Sequence, residues 1–429
     1  MRRAEEIRGV LPAALWRYWL MASSTSEGPT WDALIEEVRC GPGTDARHEA
    51  GAWAMERVRS ALGEDWPRRW HDRAGTLPGF VLDPASNACA YAQLLETGLR
   101  LHSLAGVLRL RRLTREWSRQ LDLIRMLHAF MQLEVAALAR FAGAGVEFER
   151  PVTLPETSRP ADVVISTEGM PLIAECFCVY NDQDTSAAMA YDQSLGHRLN
   201  IICLDVRPSG HWDVRLPAAE TEELLAQVQH AASEVRADRV PRDVTRPGVE
   251  FRLAPWSDPC EGELLLEGPS TPGAEWRRAQ GIINGKARDW AGSPLPVWLR
   301  FDLLDGTWLF SSWALCPLPD KTEWMAALMA DAAVGTDIAG VVVSCGSRVD
   351  PSAQADTYAG SGGIVGLRRR LDPLRTRETI IVPLSRTGAS RTKLWAGLYD
   401  AEPRWMPDAL RAASLPGPDD IERGWSVPG

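Results

Sequence analysis

Residues 161–179 read ADVVISTEGMPLIAECFCV, two apolar, β-branched runs on either side of a Glu-Gly dipeptide at 168–169. Two such runs around a short glycine-containing turn are the pattern of a β-hairpin. If 168–169 form a two-residue loop, counting outward places Asp162 directly opposite Glu175. Opposed residues share a face of the hairpin, with Cβ atoms about 4.5–5.5 Å apart. Because two carboxylates at this separation repel each other, we expect a divalent cation between them.

The segments around the hairpin alternate between helix and strand. Upstream, 104–142 has a helical pattern in two pieces, and 146–153 alternates like a strand. Downstream, we expect a helix over 186–195 and a buried strand over 199–206, running parallel to the second strand of the hairpin. The predicted order is therefore helix, three strands, helix, strand.

One further acid belongs to this pattern. Glu134 is the only acid in the apolar helical stretch 126–139, where a carboxylate needs a partner. The order of helical Glu134, strand Asp162 and strand Glu175 resembles the PD-(D/E)xK nuclease superfamily, over about 119–206. The resemblance implies a restriction-endonuclease-like α-β-β-β-α-β core. It also implies metal-dependent phosphodiester cleavage, with Asp162, Glu175 and Glu134 as ligands of Mg²⁺ or Mn²⁺.

The chain departs from the family where a lysine is expected. Two residues after Glu175, on the same strand face, the residue is Phe177. The family lysine is expected to orient or activate the attacking water and to stabilise negative charge, which a phenyl ring does not do. The candidates for a relocated polar group are Lys286, Gln193 and Tyr191. We include Lys286 among the catalytic candidates.

Each acid also has a structural interpretation. Asp162 could satisfy donors at a turn or strand end, and Glu134 could bind backbone donors. Glu175 could form a buried ion pair with Arg159 or Arg150. The catalytic and the structural interpretations differ in which side chains contact the carboxylates. An enzyme needs a positive group that converges on the carboxylates, whereas a scaffold can leave them paired with arginine.

The whole chain is predicted to be α/β in three regions. These are a helical N-terminal region over 1–110, the nuclease-like core over 111–210 and an appended α/β region over 211–429. The N-terminal tryptophans have the spacing of core residues. In the last region we expect helices at 218–237, 274–290 and 407–413, strands at 249–254, 263–267, 297–303, 338–344 and 378–384, and a long loop over 347–363.

Composition narrows the functional classes. The net charge of −10 argues against broad nonspecific affinity for nucleic acid. No apolar run approaches the ~20 residues of a membrane span, so no membrane partner is expected. The first residues lack a signal-peptide pattern, which predicts a cytoplasmic protein. The eight cysteines include no C-x-x-C pair, which is typical of a reduced interior rather than a zinc ribbon.

The leading hypothesis is a divalent-metal-dependent phosphodiesterase, a nuclease acting on nucleic acid. The alternative is a nuclease-like module that has lost catalysis and serves in binding or assembly, which Phe177 and the acidic net charge favour. A weaker third hypothesis is a protein that forms a homo-oligomer through its tryptophan-rich N-terminal region.

Overall fold

The structure of the protein is a computed structural model. The chain folds into two compact units. The first unit comprises 1–179, 280–306 and 310–429, and the second comprises 180–279 and 307–309. The described residues are 28–422 except 75–76, 83, 86–87, 120, 122, 168–169, 180–190, 192–193, 197, 200, 204–205, 256–265, 268–271, 304–316, 347–353 and 373–374.

The first unit is built on a mixed eight-stranded sheet. Its strands are numbered in chain order. Across the sheet they lie in the order β1 (Gly145–Thr153), β2 (Ser158–Thr167), β3 (Met170–Val179), β8 (Val297–Leu303), β9 (Gly340–Gly346), β12 (Arg375–Pro383), β11 (Val365–Asp372) and β10 (Gln354–Ala359). The pairs β3–β8 and β8–β9 are parallel, and all other neighbours are antiparallel.

Helices surround this sheet. They are α1 (Trp31–Cys40), α2 (Asp45–Leu62), α3 (Trp66–Ala74), α4 (Gly79–Leu82), α5 (Ala88–Ser103), α6 (Leu110–Arg119), α7 (Leu123–Phe141), α9 (Pro272–Asp289), α10 (Leu318–Ala332), α11 (Arg386–Ala389), α12 (Thr392–Ala412) and α13 (Pro418–Glu422). Helix α9 begins in the second unit's segment and belongs to the first unit from Gln280 onward. None of the described helices combines the length and the apolar run that crossing a bilayer requires.

The tryptophans near the N-terminus are used as core. Trp31, Trp66 and Trp70 are buried, with ring centroids 5.8 Å apart for Trp31 and Trp66 and 5.1 Å apart for Trp66 and Trp70. The same apolar cluster reaches the sheet and helix α12. The expected core role of these rings is therefore confirmed, while Trp16 and Trp19 lie outside the described residues.

The hairpin has the register that its sequence predicts. Thr167 pairs with Met170, and the pairing continues outward to Val163 and Ala174. The turn at 168–169 is itself outside the described residues. The ladder of paired residues ends one position before Asp162 and Glu175, so the two acids stand where the backbone pairing of β2 with β3 stops.

One predicted strand is wrong. In 199–206, residues 199 and 201–202 are helical, and only Val206 begins a strand, β4 (Val206–Trp212). That strand belongs to the second unit and is antiparallel to its neighbour β6 (Val249–Pro255). The parallel neighbour of β3 is instead β8. A short, continuously apolar run has the same hydrophobic pattern in a buried strand as in a buried helix, so periodicity does not distinguish the two.

Two expectations near the C-terminus are also corrected. The polar segment expected to be a loop over 347–363 contains strand β10, which pairs with β11. The short helix expected at 407–413 is the end of the 21-residue helix α12, which contains Pro403 and Pro407. Helix α12 buries Trp395 and Trp405 in the core, and this packing stabilises a helix that proline would otherwise interrupt.

The second unit has its own sheet and core. Its strands lie in the order β5 (Arg242–Arg246), β6, β4 and β7 (Leu266–Glu267), and helix α8 (Ala218–Asp238) accompanies them. Leu224 and Val228 of α8 are buried in one apolar cluster with Trp212 of β4 and Phe251 of β6.

The two units divide the chain differently from the expected boundaries at 110 and 210. Segments from the expected N-terminal and C-terminal regions share the first unit and its core, because their helices and strands pack on one sheet. The main segment of the second unit, 180–279, lies in sequence between β3 and β8. The chain is mixed α/β, as its sequence predicts.

Candidate active site

The two hairpin acids are connected by hydrogen bonds between their strands. The backbone N–H of Asp162 donates to Glu175 Oε1 at 3.2 Å, and the backbone N–H of Cys176 donates to Asp162 Oδ2 at 2.8 Å. Each carboxylate thus binds a backbone donor of the opposite strand at the point where the ladder ends. The predicted proximity of Asp162 and Glu175 is therefore present.

A lysine converges on this pair. Lys286 Nζ, on helix α9, donates a hydrogen bond of 2.7 Å to Glu175 Oε2. Glu175 is buried and Lys286 is half-buried, so their charges face each other with little water between them. Of the other relocation candidates, Tyr191 binds Thr221 and the Leu216 N–H in the second unit, and Gln193 lies outside the described residues.

Phe177 fills the strand position where the resemblance expects a lysine. It is buried and stacks on Phe301, with ring centroids 5.1 Å apart and an interplanar angle of 17°. The two residues are register partners on the parallel strands β3 and β8. The strand therefore contributes an aromatic contact at this position, and the amine comes from helix α9.

The helical acid Glu134 is held by two arginines. Arg100 Nη2 lies 3.2 Å from Glu134 Oε2, and Arg300 Nη2 lies 3.0 Å from Glu134 Oε1. Glu96 completes the cluster at 2.9 Å from Arg100. All four side chains are buried, and their formal charges sum to zero. Since each oxygen of Glu134 already binds a guanidinium, this carboxylate fits a structural ion pair better than a metal ligand.

Strand alternation explains why Glu134 does not join the other two acids. Arg300 on β8 is the register partner of Cys176, whereas Glu175 is one residue earlier on β3. Successive side chains of a strand point to opposite faces. The Arg300–Glu134 pair and the carboxylate of Glu175 therefore lie on opposite faces of the sheet. Of the four predicted site residues, the structure brings together Asp162, Glu175 and Lys286.

Burial and neighbouring charges shift the pKa values of Asp162 and Lys286. Burial, followed by the charge of Glu175, raises the pKa of Asp162 to about 7, although Lys286 and the Cys176 N–H favour the ionised form. Burial alone would lower the pKa of Lys286, but the carboxylates of Glu175 and Asp162 outweigh it and the pKa is raised. The amine is therefore positively charged near neutral pH, while Asp162 titrates in that range.

Sequence reasoning missed a third acid in the same row. Glu149 on β1 stands opposite Asp162, because the residues on either side of each are paired. Its φ of +45° lies in the left-handed region, which non-glycine residues rarely adopt. Glu149 is buried and forms an ion pair with Arg112, and burial and then Glu116 raise its pKa. The hairpin-counting argument, extended to the expected strand 146–153, would have indicated this residue.

A cavity of about 340 Å³ adjoins the acids. Asp162 and Lys286 lie in its wall together with residues of helices α6 and α7 and strands β1–β3. The complete lining is Arg112, Leu113, Glu116, Trp117, Arg125, His128, Ala129, Gln132, Glu149, Pro160, Asp162, Cys176 and Lys286. The site therefore has room for a ligand beside its carboxylate and its amine.

Comparison with known proteins identifies no relative. No family model matches the chain, and neither a curated protein nor a solved structure matches it. Within the described part of the chain, no group of three or more His, Cys, Asp or Glu residues is arranged to hold a metal ion. Function is therefore inferred from the geometry of the site alone.

Proposed function

We propose that this chain is a divalent-metal-dependent phosphodiesterase that cleaves nucleic acid, with Asp162, Glu175 and Lys286 at its centre. The observation that carries the proposal is the 2.7 Å contact between Lys286 Nζ and Glu175 Oε2. Lys286, on helix α9, therefore supplies the positive group that strand β3 lacks at Phe177. Lys286 is one of three lysines in the chain, and it is the one that contacts the hairpin acids.

The order of the elements supports the same proposal. With the elements of the second unit left aside, helix α7, strands β1–β3, helix α9 and strand β8 occur in the order helix, three strands, helix, strand, and β8 is parallel to β3. This is the order of the restriction-endonuclease-like core that the sequence resembles. In the proposed core, the second unit is an insertion between β3 and α9.

The donor groups fit a hard divalent cation. Asp162 lines the cavity, and its Oδ1 accepts no hydrogen bond from the residues that the structure describes. The repulsion from Glu175 that raises the pKa of Asp162 would be offset by a cation. Mg²⁺ retains several waters and needs only one or two carboxylates. Asp162 would be the direct ligand, and Glu175, whose oxygens accept from the Asp162 N–H and Lys286 Nζ, would add negative charge beside the ion. Bound there, Mg²⁺ or Mn²⁺ would polarise the scissile phosphate and make an attacking water more acidic.

Lys286 would act as a cation rather than as a base. Its raised pKa keeps the amine protonated, so it cannot accept the proton of the attacking water. It can instead stabilise the negative charge that develops on the phosphoryl oxygens. In the proposed reaction the attacking water loses a proton to solvent and its oxygen forms a bond to phosphorus. The bond from phosphorus to the leaving oxygen breaks, and that oxygen receives a proton from solvent.

The test is cleavage of end-labelled DNA and RNA in Mg²⁺, in Mn²⁺ and in EDTA. Cleavage by the wild type should require the metal and should fall by about 100-fold or more in Asp162→Asn, as expected for loss of a charge-stabilising group. Asp337→Asn changes an exposed acid of the same type and should cleave at the wild-type rate. Metal-dependent cleavage that persists in Asp162→Asn would overturn the proposal.

The inactive binding or assembly module is the competing proposal. It is favoured by the burial of Phe177 on Phe301 and by the pairing of Glu134 with arginines. On that proposal the trio is a structural ion-pair cluster. The wild type would then cleave neither DNA nor RNA in either metal, and Asp162→Asn would change only stability.

A further inference from the structure

We propose that the cavity beside Asp162 and Lys286 binds one unpaired nucleotide, so that the substrate is a single strand or an unpaired strand end. This inference rests on the proposed function for its substrate class. It depends on two buried polar side chains in the cavity wall, Gln132 and Trp117, which the proposed chemistry does not use.

Gln132 and Trp117 each bury a polar atom without satisfying it. Gln132 on helix α7 is 8% exposed, and its Oε1 has no hydrogen-bond partner among the described residues. Trp117 on helix α6 is 2% exposed, and its Nε1–H likewise has none. A buried acceptor or donor left unsatisfied destabilises the folded state. Both side chains line the cavity, although the two polar atoms are themselves shielded from it in this structure. A ligand would satisfy them once each side chain turns toward the cavity.

An unsatisfied indole N–H would not by itself distinguish this cavity from the rest of the protein. Trp66, Trp298 and Trp395 also bury N–H groups that have no partner in the described part of the chain, and none of them lines this cavity. What distinguishes the site is the combination of Trp117 with Gln132 in one wall that also contains Asp162 and Lys286.

A nucleobase has the complementary groups. The pairing edge of an unpaired base presents donors and acceptors side by side, and proteins that recognise single strands bind this edge with side-chain hydrogen bonds. A base acceptor could receive the Trp117 N–H, and an exocyclic amino group could donate to Gln132 Oε1. In a duplex the same edge is used in pairing, so these groups would be unavailable.

The size and charge of the cavity favour one nucleotide. Its volume of about 340 Å³ lies at the lower end of the range of roughly 300–1,000 Å³ for small-molecule sites. A duplex, whose major groove alone is about 12 Å wide, does not fit such a space. The wall contains three cationic side chains, Arg112, Arg125 and Lys286, and three acids, Glu116, Glu149 and Asp162. The acids in the wall make a general polyanion groove unfavourable, which agrees with recognition of a single base beside one phosphate.

The test is fluorescence anisotropy in EDTA with two fluorescein-labelled DNAs, a 12-nucleotide single strand and the blunt duplex of the same sequence. We expect the single strand to bind at least tenfold more tightly. Gln132→Leu and Trp117→Phe each remove one hydrogen-bonding group and should weaken single-strand binding by about fivefold, as for the loss of one hydrogen bond. Gln132→Leu removes an unsatisfied polar atom at nearly the same volume, so its melting temperature should match or exceed that of the wild type. Trp117→Phe also removes part of a buried ring, so its melting temperature should fall.

Trp66→Phe is the matched control. It makes the same chemical change at a buried, unsatisfied indole that does not line the cavity, and it should leave single-strand binding unchanged. Equal affinity for the two DNAs would overturn the inference. So would wild-type single-strand affinity in both Gln132→Leu and Trp117→Phe.

The experiment separates failure of the pocket from failure of the proposed function, because binding in EDTA needs no metal. Single-strand binding that depends on Gln132, without any cleavage in Mg²⁺, would retain the pocket and remove the nuclease. Cleavage that requires Asp162, without a preference for single strands, would retain the nuclease and remove the pocket.

Discussion

Asp162 is held in an environment that disfavours its charge. Its ordinary pKa is 3.8, and burial together with Glu175 raises it to about 7 in the folded protein. Between these two values the unfolded chain releases a proton that the folded chain keeps. The free energy of unfolding therefore falls as the pH rises from about 4 to about 7.

Asp162→Asn should consequently stabilise the protein at high pH. Asparagine cannot ionise and can still accept the Cys176 N–H, so the variant should be more stable than the wild type by on the order of 2–4 kcal/mol at pH 8. The gain should disappear at about pH 3, below both pKa values, where the wild-type carboxyl is largely protonated in both states. Urea denaturation at the two pH values measures the difference. The same stability difference at both pH values would contradict the shifted pKa.

Lys286→Ala should separate cleavage from metal binding. Loss of the amine should lower the rate of cleavage by about 100-fold or more, because negative charge on the phosphate is no longer stabilised. Removal of a cation 2.7 Å from Glu175 should leave the affinity for Mn²⁺ unchanged or stronger. Lys393→Ala removes an exposed lysine and is the control. A variant that cleaves normally, or that loses Mn²⁺ binding, would disprove this role for Lys286.

The positions of these residues could be predicted from the sequence to different extents. The period of two along a hairpin places Asp162 beside Glu175 without knowledge of the remaining fold. Lys286 is 111 residues away from Glu175, so the sequence identified it as a candidate but could not show that it reaches the site. Glu149 was missed, although the same counting applies to β1.

At the scale of the element, helix α7 contributes different residues to two sites. Its Gln132 lines the cavity, whereas its Glu134 belongs to the ion-pair cluster with Arg100 and Arg300. Because the cluster of Glu96, Arg100, Glu134 and Arg300 is buried and neutral, loss of Glu134 or of Arg300 leaves it with one uncompensated charge. The cluster should therefore matter for stability and not for metal binding.

Arg300→Met should destabilise the fold by about 3–5 kcal/mol, the usual cost of breaking a buried pair from one side. Glu134→Gln should also lower stability, yet it should bind Mn²⁺ with wild-type affinity in calorimetry. Asp162→Asn is the comparison, since it should lose that binding while remaining folded. Loss of Mn²⁺ affinity in a folded Glu134→Gln protein would restore Glu134 to the metal site.

The elements that were misassigned share a physical cause. The apolar run at 199–206 fits a buried helix or a buried strand equally well, and only its neighbours decide between them. The prolines of α12 argue locally against a helix, but burial of Trp395 and Trp405 stabilises it. In both cases tertiary packing outweighs the local signal.

At the scale of the whole molecule, the second unit separates β3 from β8 in sequence by about a hundred residues. The sequence predicted the β-strand at 297–303 but assigned it to a separate region, because nothing in its composition shows which strand it pairs with. The mixed α/β class could be predicted from local patterns. The division into units could not, since it depends on contacts between distant segments.

Because each unit has its own apolar core, a core mutation should act within its unit. Leu224→Ala in helix α8 should destabilise the second unit by about 2–5 kcal/mol. Hydrogen exchange followed by mass spectrometry should then accelerate in peptides from 206–255 and not in peptides from 145–179. Leu133→Ala in α7 should produce the opposite pattern. Faster exchange throughout both units in either variant would show that they unfold as one.

Calorimetric titration of Mn²⁺ tests the central claim most directly. The wild type should bind one ion at pH 8 and bind it more weakly at pH 6, where Asp162 is largely protonated. The double variant Asp162→Asn, Glu175→Gln, which removes both negative charges, should bind none. No binding by the wild type, or equal binding by the double variant, would contradict the assignment of this site as a metal-dependent phosphodiesterase centre.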